Sequence, residues 1–434
     1  MRRVVVTGIG IISPLGIGSK AHWEALLAGQ AGVRRITSLD PGGFATHIAG
    51  ETPNYKIADF VPRTYRKATK VMARDIELAI VAADDAFKVA GLQSHAYTET
   101  PNFDGRRFGC NIGAGLINAE LNELTAAMNT ARSPSEPNRL DMARWGRDGM
   151  TQLTPLWLLK YLPNMLACHV TIIHQLKGPS NTITCADASS HLAIGEAFRT
   201  IQRGKADLAI CGGAESKVQP MGLARQTMLH RLTETHNNSP ADAVRPFDAD
   251  ADGTALGEGG GLLILEEYER AKARGAKIYA ELVGFGASQD SYKVTDPEPS
   301  GHSYAKAILN SLKEADLTTA DVDLHVPNGL GIPAFDRAEL AGLKIAYCDR
   351  LSTVAISPIK AQIGSLAAGS GVDAAAAVLA LHHGEIPPAV NTRKPMDGVK
   401  LNVTAEARDA KIGVAVSSVY SLGGQNAALV FQGL

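Results

Sequence analysis

The stretch "GPSNTITCADASSHLAIG", residues 178–195, reads as a strand that turns into a helix. At the bend it offers a thiol, Cys185, and two positions later a carboxylate, Asp187. A thiol at a helix N-terminus becomes a nucleophile, because the helix end stabilises the thiolate. An aspartate there has a simpler use: it accepts backbone N–H groups as an N-cap and suits the helix dipole. Two residues along a strand span about 6.5 Å, so the two side chains compete for the tip of the bend.

Outward from the bend, strands and helices keep alternating. "RRVVVTGIGI" (2–11) and "RRFGCNIGAG" (106–115) read as buried strands running into glycine, and "ADLAICGGAES" (206–216) as a strand into a glycine pair. "SKAHWEALLAGQ" (19–30) and "KVMARDIELAIVAADDAFKVAGL" (70–92) read as helices, the second long, amphipathic and ended by glycine. "MLACHVTIIHQL" (165–176) is apolar and buried. Further on, "SYAKAILNSLKEADL" (303–317) and the Ala-rich "GVDAAAAVLALHHGEI" (371–386) are helical, while "LHVPNGLG" (324–331) is a strand into a loop. "GVAVSSVYSLGGQNAALVF" (413–431) closes the chain with strand, glycine loop and strand. The pattern implies a layered α/β fold with mainly buried strands. Residues 128–150, polar and charged around Trp145 with several arginines, read as a surface excursion.

Composition bounds the function. A chain of 434 residues forms two core-bearing lobes rather than one. A net charge of −1 argues against a general nucleic-acid or membrane-surface binder. The N-terminal apolar run is broken by Gly8, Gly10 and Pro14 with no small-residue cleavage site, so it reads as a core strand and not a secretory leader. No stretch approaches the roughly 18–20 apolar residues that span a bilayer. Five cysteines (110, 168, 185, 211, 348) without CxxC spacing suggest reduced thiols in a cytoplasmic setting and no zinc cluster.

Two glycine motifs fail physical tests. "GIGIISPLG" (8–16) has Ser13 at the third glycine position and no acidic residue about 20 positions on, so a glycine turn on the sheet replaces the dinucleotide reading. "GTALGEGGG" (253–261) lacks Lys-Ser/Thr and leads into "LLILEE", so it reads as a glycine bend and not a phosphate loop. His382 and His383 end a helix without partners at ligand spacing and read as solvated or capping. No metal and no cofactor is expected.

The segments "VVVTGIGIISPLG", "NMLACHVTI", "GPSNTIT", "RPFDADADGTALGEGGGLLILEEYERAKARGAKIYAELVGFG", "PAFDRAE" and "GGQNAALVF" carry a resemblance. The chain resembles the β-ketoacyl-ACP synthase II family, of the thiolase fold, from residue 1 to the C-terminus, with only 128–150 extra. The resemblance implies two pseudo-equivalent α/β halves in an α-β-α-β-α stack. They fall at 1–266, with cap insertions, and 267–434. In that family an elbow cysteine takes the acyl chain as a thioester. Two histidines then bind the malonyl carbonyl and support decarboxylation, which needs donors aimed at the developing enolate oxygen.

Thirteen residues separate "GPS" (178–180) from "IG" (194–195), so an ungapped match puts the nucleophile position on Asp187, with Cys185 upstream on the incoming strand. The first histidine, in the family's "HGTSTPAGD", falls on Asn328 of "NGLGIPAFD". The second, in "KSMTGH", falls on Ser365 of "KAQIGS". Lys360 and Glu339 match the family's lysine and glutamate. In "SLGGQN" (421–426) Leu422 takes the place of a gating phenylalanine and Gln425 that of a threonine.

Losing one oxyanion donor costs about 10²–10³ in rate, and losing the nucleophile removes the covalent route. Cys185 reads as a buried structural thiol. Asp187 reads as a helix N-cap and, beyond that, as a fixed anion partnering Lys360 or Asn328. His191, one turn after Asp187, and His325 read as packed, satisfied histidines. "PRTYRKATKVMAR" (62–74) carries Arg63, Arg66, Lys67, Lys70 and Arg74, where the resemblance implies docking of an acidic acyl carrier protein. The leading reading is a cytoplasmic, synthase-like subunit of fatty-acid or polyketide biosynthesis, unable to condense alone. It resembles a chain-length factor that shapes an acyl tunnel as a homodimer or beside an active ketosynthase paralogue. The alternatives are an enzyme using Asp187 as a general base on acyl-ACP or acyl-CoA, and a pure acyl-carrier binding module.

Overall fold

A computed structural model describes residues 1–136 and 138–434; Pro137, inside the 128–150 excursion, lies outside the described residues. The strands that carry the architecture are β1 (Val4–Ser13), β2 (Phe108–Ala114), β3 (Ser180–Ile183), β4 (Leu208–Ser216) and β5 (Leu256–Glu267). They are followed by β6 (Ala280–Gln289), β7 (Leu324–Val326), β8 (Ala355–Ile356), β9 (Val414–Tyr420) and β10 (Gln425–Gln432). The principal helices are α1 (Ser19–Leu27), α2 (Arg74–Val89), α3 (Leu121–Thr130), α4 (Met165–His174) and α5 (Ser189–Gln202). The later ones are α6 (Pro220–Met228), α7 (His302–Glu314), α8 (Pro333–Tyr347) and α9 (Gly371–His383).

All ten strands lie on one path, in the order β8-β7-β9-β10-β6-β1-β5-β4-β2-β3. Outward from the centre, β1-β5-β4-β2-β3 and β6-β10-β9-β7-β8 follow the same order of first, fifth, fourth, second and third strand. Pairings agree as well: β2–β3, β2–β4, β7–β8 and β7–β9 are parallel, and β1–β5, β4–β5, β6–β10 and β9–β10 are antiparallel. The two runs join where Val4–Val6 pairs antiparallel with Ala280–Leu282.

One apolar cluster, containing Val6, Phe198 of α5, Val378 of α9 and Phe431, fills the space between the runs. A second packs α2 and α4 on the outside of the first run, and a third packs α7 and α8 on the outside of the second. Helix, sheet, helix, sheet, helix is the resulting stack, an α/β fold. The middle layer is thin because α9 is alanine-rich: alanine favours the helix and lets it approach a sheet closely on every side.

The strand reading of 2–11 holds, while the glycine turn and the glycine bend read into the two motifs do not. Gly8 and Gly10 lie inside β1, not in a turn. A Cβ on Gly10 would come within 1.9 Å of the Ala82 carbonyl oxygen, so glycine lets α2 lie directly on the strand. Gly257–Gly261 are part of β5 and not a bend. A Cβ on Gly261 would stand 2.3 Å from the Val372 nitrogen at the start of α9. The long helix also starts later than the periodicity predicts: Arg63–Val71 is a 3₁₀ helix, Met72 is extended, and α2 begins at Arg74. His383 is exposed, as its solvated reading expects, and stacks on Trp23, while the half-buried His382 lies tilted against Tyr279. Among the described residues no helix is long and apolar enough to cross a membrane.

Candidate active-site elbow

After β3 the chain makes a short 3₁₀ turn, Ala186–Ala188, and enters α5. Ala186 takes a left-handed φ of 44°, an unusual conformation for a residue with a Cβ. Cys185 precedes the turn, past the end of the strand, and its thiol packs half-buried beside Ala188, Val419, Ala427 and Phe285. Burial pushes that thiol above its ordinary pKa, which is the opposite of nucleophile activation. Asp187 is central in the turn and buried.

Asp187 is not the N-cap. That position is Ala188, and no side chain caps the helix. Ser189 staples the bend instead: its Oγ accepts the Cys185 N–H at 2.8 Å and donates to the Ala186 carbonyl at 2.7 Å. Nor does Asp187 pair with Lys360 or Asn328. Lys360, fully buried, donates to Asp373 in the first turn of the alanine-rich α9. Asn328 donates its Nδ2 to the Tyr420 carbonyl at 3.1 Å. Asp187 Oδ1 is buried without a hydrogen-bond partner, as are Asp373 Oδ1 and Asn328 Oδ1. Burial raises the Asp373 pKa, Lys360 opposes the rise, and the nearby Asp187 charge adds to it. One buried ammonium thus pairs with Asp373, and a second buried carboxylate, Asp187, lies near that pair.

Glu339 on α8 holds the Asn328 loop. Its two oxygens accept the Asn328 and Gly329 N–H groups, each at 2.8 Å, and Tyr304 donates its hydroxyl at 2.6 Å. Asp336, one turn earlier, accepts the Phe247, Leu330 and Gly331 N–H groups. Burial pushes Glu339 up to about 8 and Asp336 to about 7. His325 is fully satisfied, by Tyr347 on Nδ1 and Ser418 on Nε2. His191 bonds Ser417 through Nε2 and makes no bond to Asp187. Burial lowers both histidines to about 3, so they are neutral packing groups.

Ser365 is tied through its backbone to Ala255 and Gly257, at 2.8 and 2.9 Å, and its hydroxyl is joined to neither Asp187 nor Asn328. Beside the elbow, Leu422 and Ala186 line a cavity of about 240 Å³ together with Glu215, Lys217, Arg225 and Gln226. Gln425 is half-buried and opens β10, pairing with Gln289 of β6. Arg63, Arg66, Lys67 and Lys70 stand exposed on the 3₁₀ helix, without ion pairs among the described residues. Arg74 differs from them: it turns inward, pairs with Glu258 at 2.6 Å and lies over Tyr55.

Sequence reasoning missed Asp373, Glu215, Lys217, Arg225 and Gln226. A signal existed for Asp373, a lone carboxylate in "GVDAAAAVLAL". The others have none, since polar residues after a strand or on an amphipathic helix read as surface.

Matched runs of five strands, with a buried elbow after the third strand of each, define a thiolase-like scaffold. A model described as "Beta-ketoacyl synthase, N-terminal domain" matches residues 1–271, and one described as "Beta-ketoacyl synthase, C-terminal domain" matches residues 279–393. The chain belongs to the beta-ketoacyl synthase family. It is 34% identical over 434 residues to 3-oxoacyl-[acyl-carrier-protein] synthase 2 of Vibrio harveyi, covering 99% of this chain and 98% of that one. Identity to the same-named protein of Rhizobium meliloti is 33%, over 100% and 99% of the two chains. Among solved structures, the ishigamide ketosynthase/chain length factor superposes with a TM-score of 0.85 at 28% identity, over 100% of this chain and 99% of that one. A beta-ketoacyl synthase from Burkholderia phymatum STM815 gives a TM-score of 0.85 at 27% identity, with 100% of both chains covered. The function is of the fatty-acid or polyketide synthase type.

Proposed function

We propose that this chain does not condense acyl groups by itself and serves as a tunnel-shaping, chain-length-factor-like subunit, as a homodimer or beside an active ketosynthase. One observation carries the reading: the elbow presents Asp187, while the adjacent thiol of Cys185 packs among apolar groups with its pKa raised. An acyl-aspartate would be a reactive anhydride, not a stable carrier. Asn328 and Ser365, at the expected histidine positions, are neutral, and Asn328 already donates to Tyr420. General-base chemistry at Asp187 is disfavoured, because the carboxylate is 3% exposed and the adjoining cavity is lined by Ala186 instead. The exposed cluster Arg63, Arg66, Lys67 and Lys70 suits an acidic carrier protein. Arg74, partly exposed, adds less to that surface because its charge is paired with Glu258.

Intact-protein mass spectrometry after incubation with acyl-ACP tests the reading. The expected spectrum of the purified chain has no acyl adduct, and Asp187→Cys alone recovers no condensation with malonyl-ACP. Native mass spectrometry of co-expressed paralogues reports the partner. A thioester on Cys185, or turnover by the unmodified chain, would sink the proposal.

A further inference from the structure

The cavity beside the elbow is charged where an acyl tunnel would be apolar. Its floor is Glu215, at the end of β4 and 0% exposed. Glu215 Oε2 accepts the Ala368 N–H at 2.8 Å. Its Oε1 lies 2.9 Å from Lys217 Nζ, close enough to pair the charges although not aligned as a hydrogen bond. Glu215 and Lys217 therefore cancel. Arg225, on α6, is not cancelled: its Nη2 donates to the neutral Asn118 Oδ1 at 2.9 Å, and no carboxylate pairs with it among the described residues. Beside it Gln226 is 5% exposed, lines the same cavity, and its side-chain amide makes no hydrogen bond among the described residues. The amide lines the open cavity and has both donors and its acceptor free for a ligand there.

We infer that this cavity is a binding site for a carboxylate, taken either as a free short-chain carboxylic acid or as the ω-carboxylate of an acyl thioester. The guanidinium supplies the countercharge and a donor fork, the Gln226 amide a further donor, and Leu116 with Leu422 an apolar wall for a few methylenes. The cavity's net charge of one positive unit sets the ligand at one carboxylate inside it. The inference holds whether or not the chain condenses, so its failure and that of the proposed function are read by different experiments.

Isothermal titration calorimetry on the purified full chain tests it with four probes: pentanoate, pentanamide, glutaryl-S-pantetheine and pentanoyl-S-pantetheine. Pentanoate binding about tenfold or more tighter than pentanamide supports the site with a free acid. The same margin of glutaryl-S-pantetheine over pentanoyl-S-pantetheine supports it with an acyl terminus. Arg225→Gln removes that preference, Arg225→Lys retains part of it, and Gln226→Leu weakens anion binding about threefold while leaving its salt dependence. If the Arg225 variants fail to fold, the charged-to-neutral ratio on the unmodified chain still decides. Ratios within twofold for both probe pairs, no binding of either anion up to about 10 mM, or an undiminished preference in folded Arg225→Gln would overturn the inference.

Discussion

The two elbows of this molecule are built alike and equipped differently. After β3, Ala186 takes a φ of 44° and opens the 3₁₀ turn Ala186–Ala188 before α5. After β8 and its longer connection, Ala367 takes a φ of 46° and opens the turn Ala367–Gly369 before α9. The turns face each other: Ser370 Oγ donates to the Asp187 carbonyl at 2.5 Å, and Ser190 Oγ donates to the Ala368 carbonyl. At the middle of one turn stands Asp187, and at the middle of the other Ala368. The second run contributes instead the buried Lys360–Asp373 pair. Matching topology therefore maintains the backbone at both centres, while the charge at each is free to diverge.

The comparison breaks most readily at Lys360. Lys360→Met leaves Asp373, with Asp187 nearby, buried without its countercharge, and is expected to destabilise the fold by about 3–5 kcal/mol in chemical denaturation. Adding Asp373→Leu should return much of that loss, because an apolar pair replaces an unpaired charge; an additive double variant would show that the cluster is not coupled.

A weaker effect comes from the rim of the first run. Burial, with Glu215 beside it, pushes Asp75 up to about 8 from 3.8. The folded chain thus holds the proton more tightly than the unfolded one. The stability from that proton is complete below about pH 4 and is lost as pH rises through about 8. Asp75→Asn is expected to flatten this part of the stability–pH profile, which falls by an amount on the order of a few kcal/mol in the parent. An unchanged profile in the variant would assign the slope to other groups.

The smallest effect sharpens the likeness of the turns. Ala186→Gly and Ala367→Gly each relieve a left-handed alanine, and each is expected to stabilise by up to ~1 kcal/mol. A response at one site only, in the same denaturation assay, would end the equivalence of the two elbows.

Much of this was legible in the residues. The alternation of strand and helix is local, and it placed α1, α7, α9 and the closing strands of the chain within a few positions. The ungapped count from "GPS" to "IG" put Asp187 in the turn and Cys185 before it. Glycine was the poor guide: Gly261 read as a bend because glycine usually breaks strands, and Gly10 read both as strand, in 2–11, and as turn, in the 8–16 motif, yet both lie in strands whose neighbours press on them. The N-cap reading of Asp187 failed for a related reason. Composition cannot tell whether one residue or two of 3₁₀ turn precede a helix.

By itself the sequence determined the α/β class, the family and the order of Cys185 and Asp187 along the elbow, since these follow from residue order and hydrophobic period. Tertiary structure alone decided which charges meet. Lys360 chose Asp373 over Asp187, Arg74 turned in to Glu258, and Arg225 was left without a carboxylate. Coulomb and hydrogen-bond partners depend on distances of a few ångströms between segments tens to hundreds of residues apart, and packing alone sets those distances.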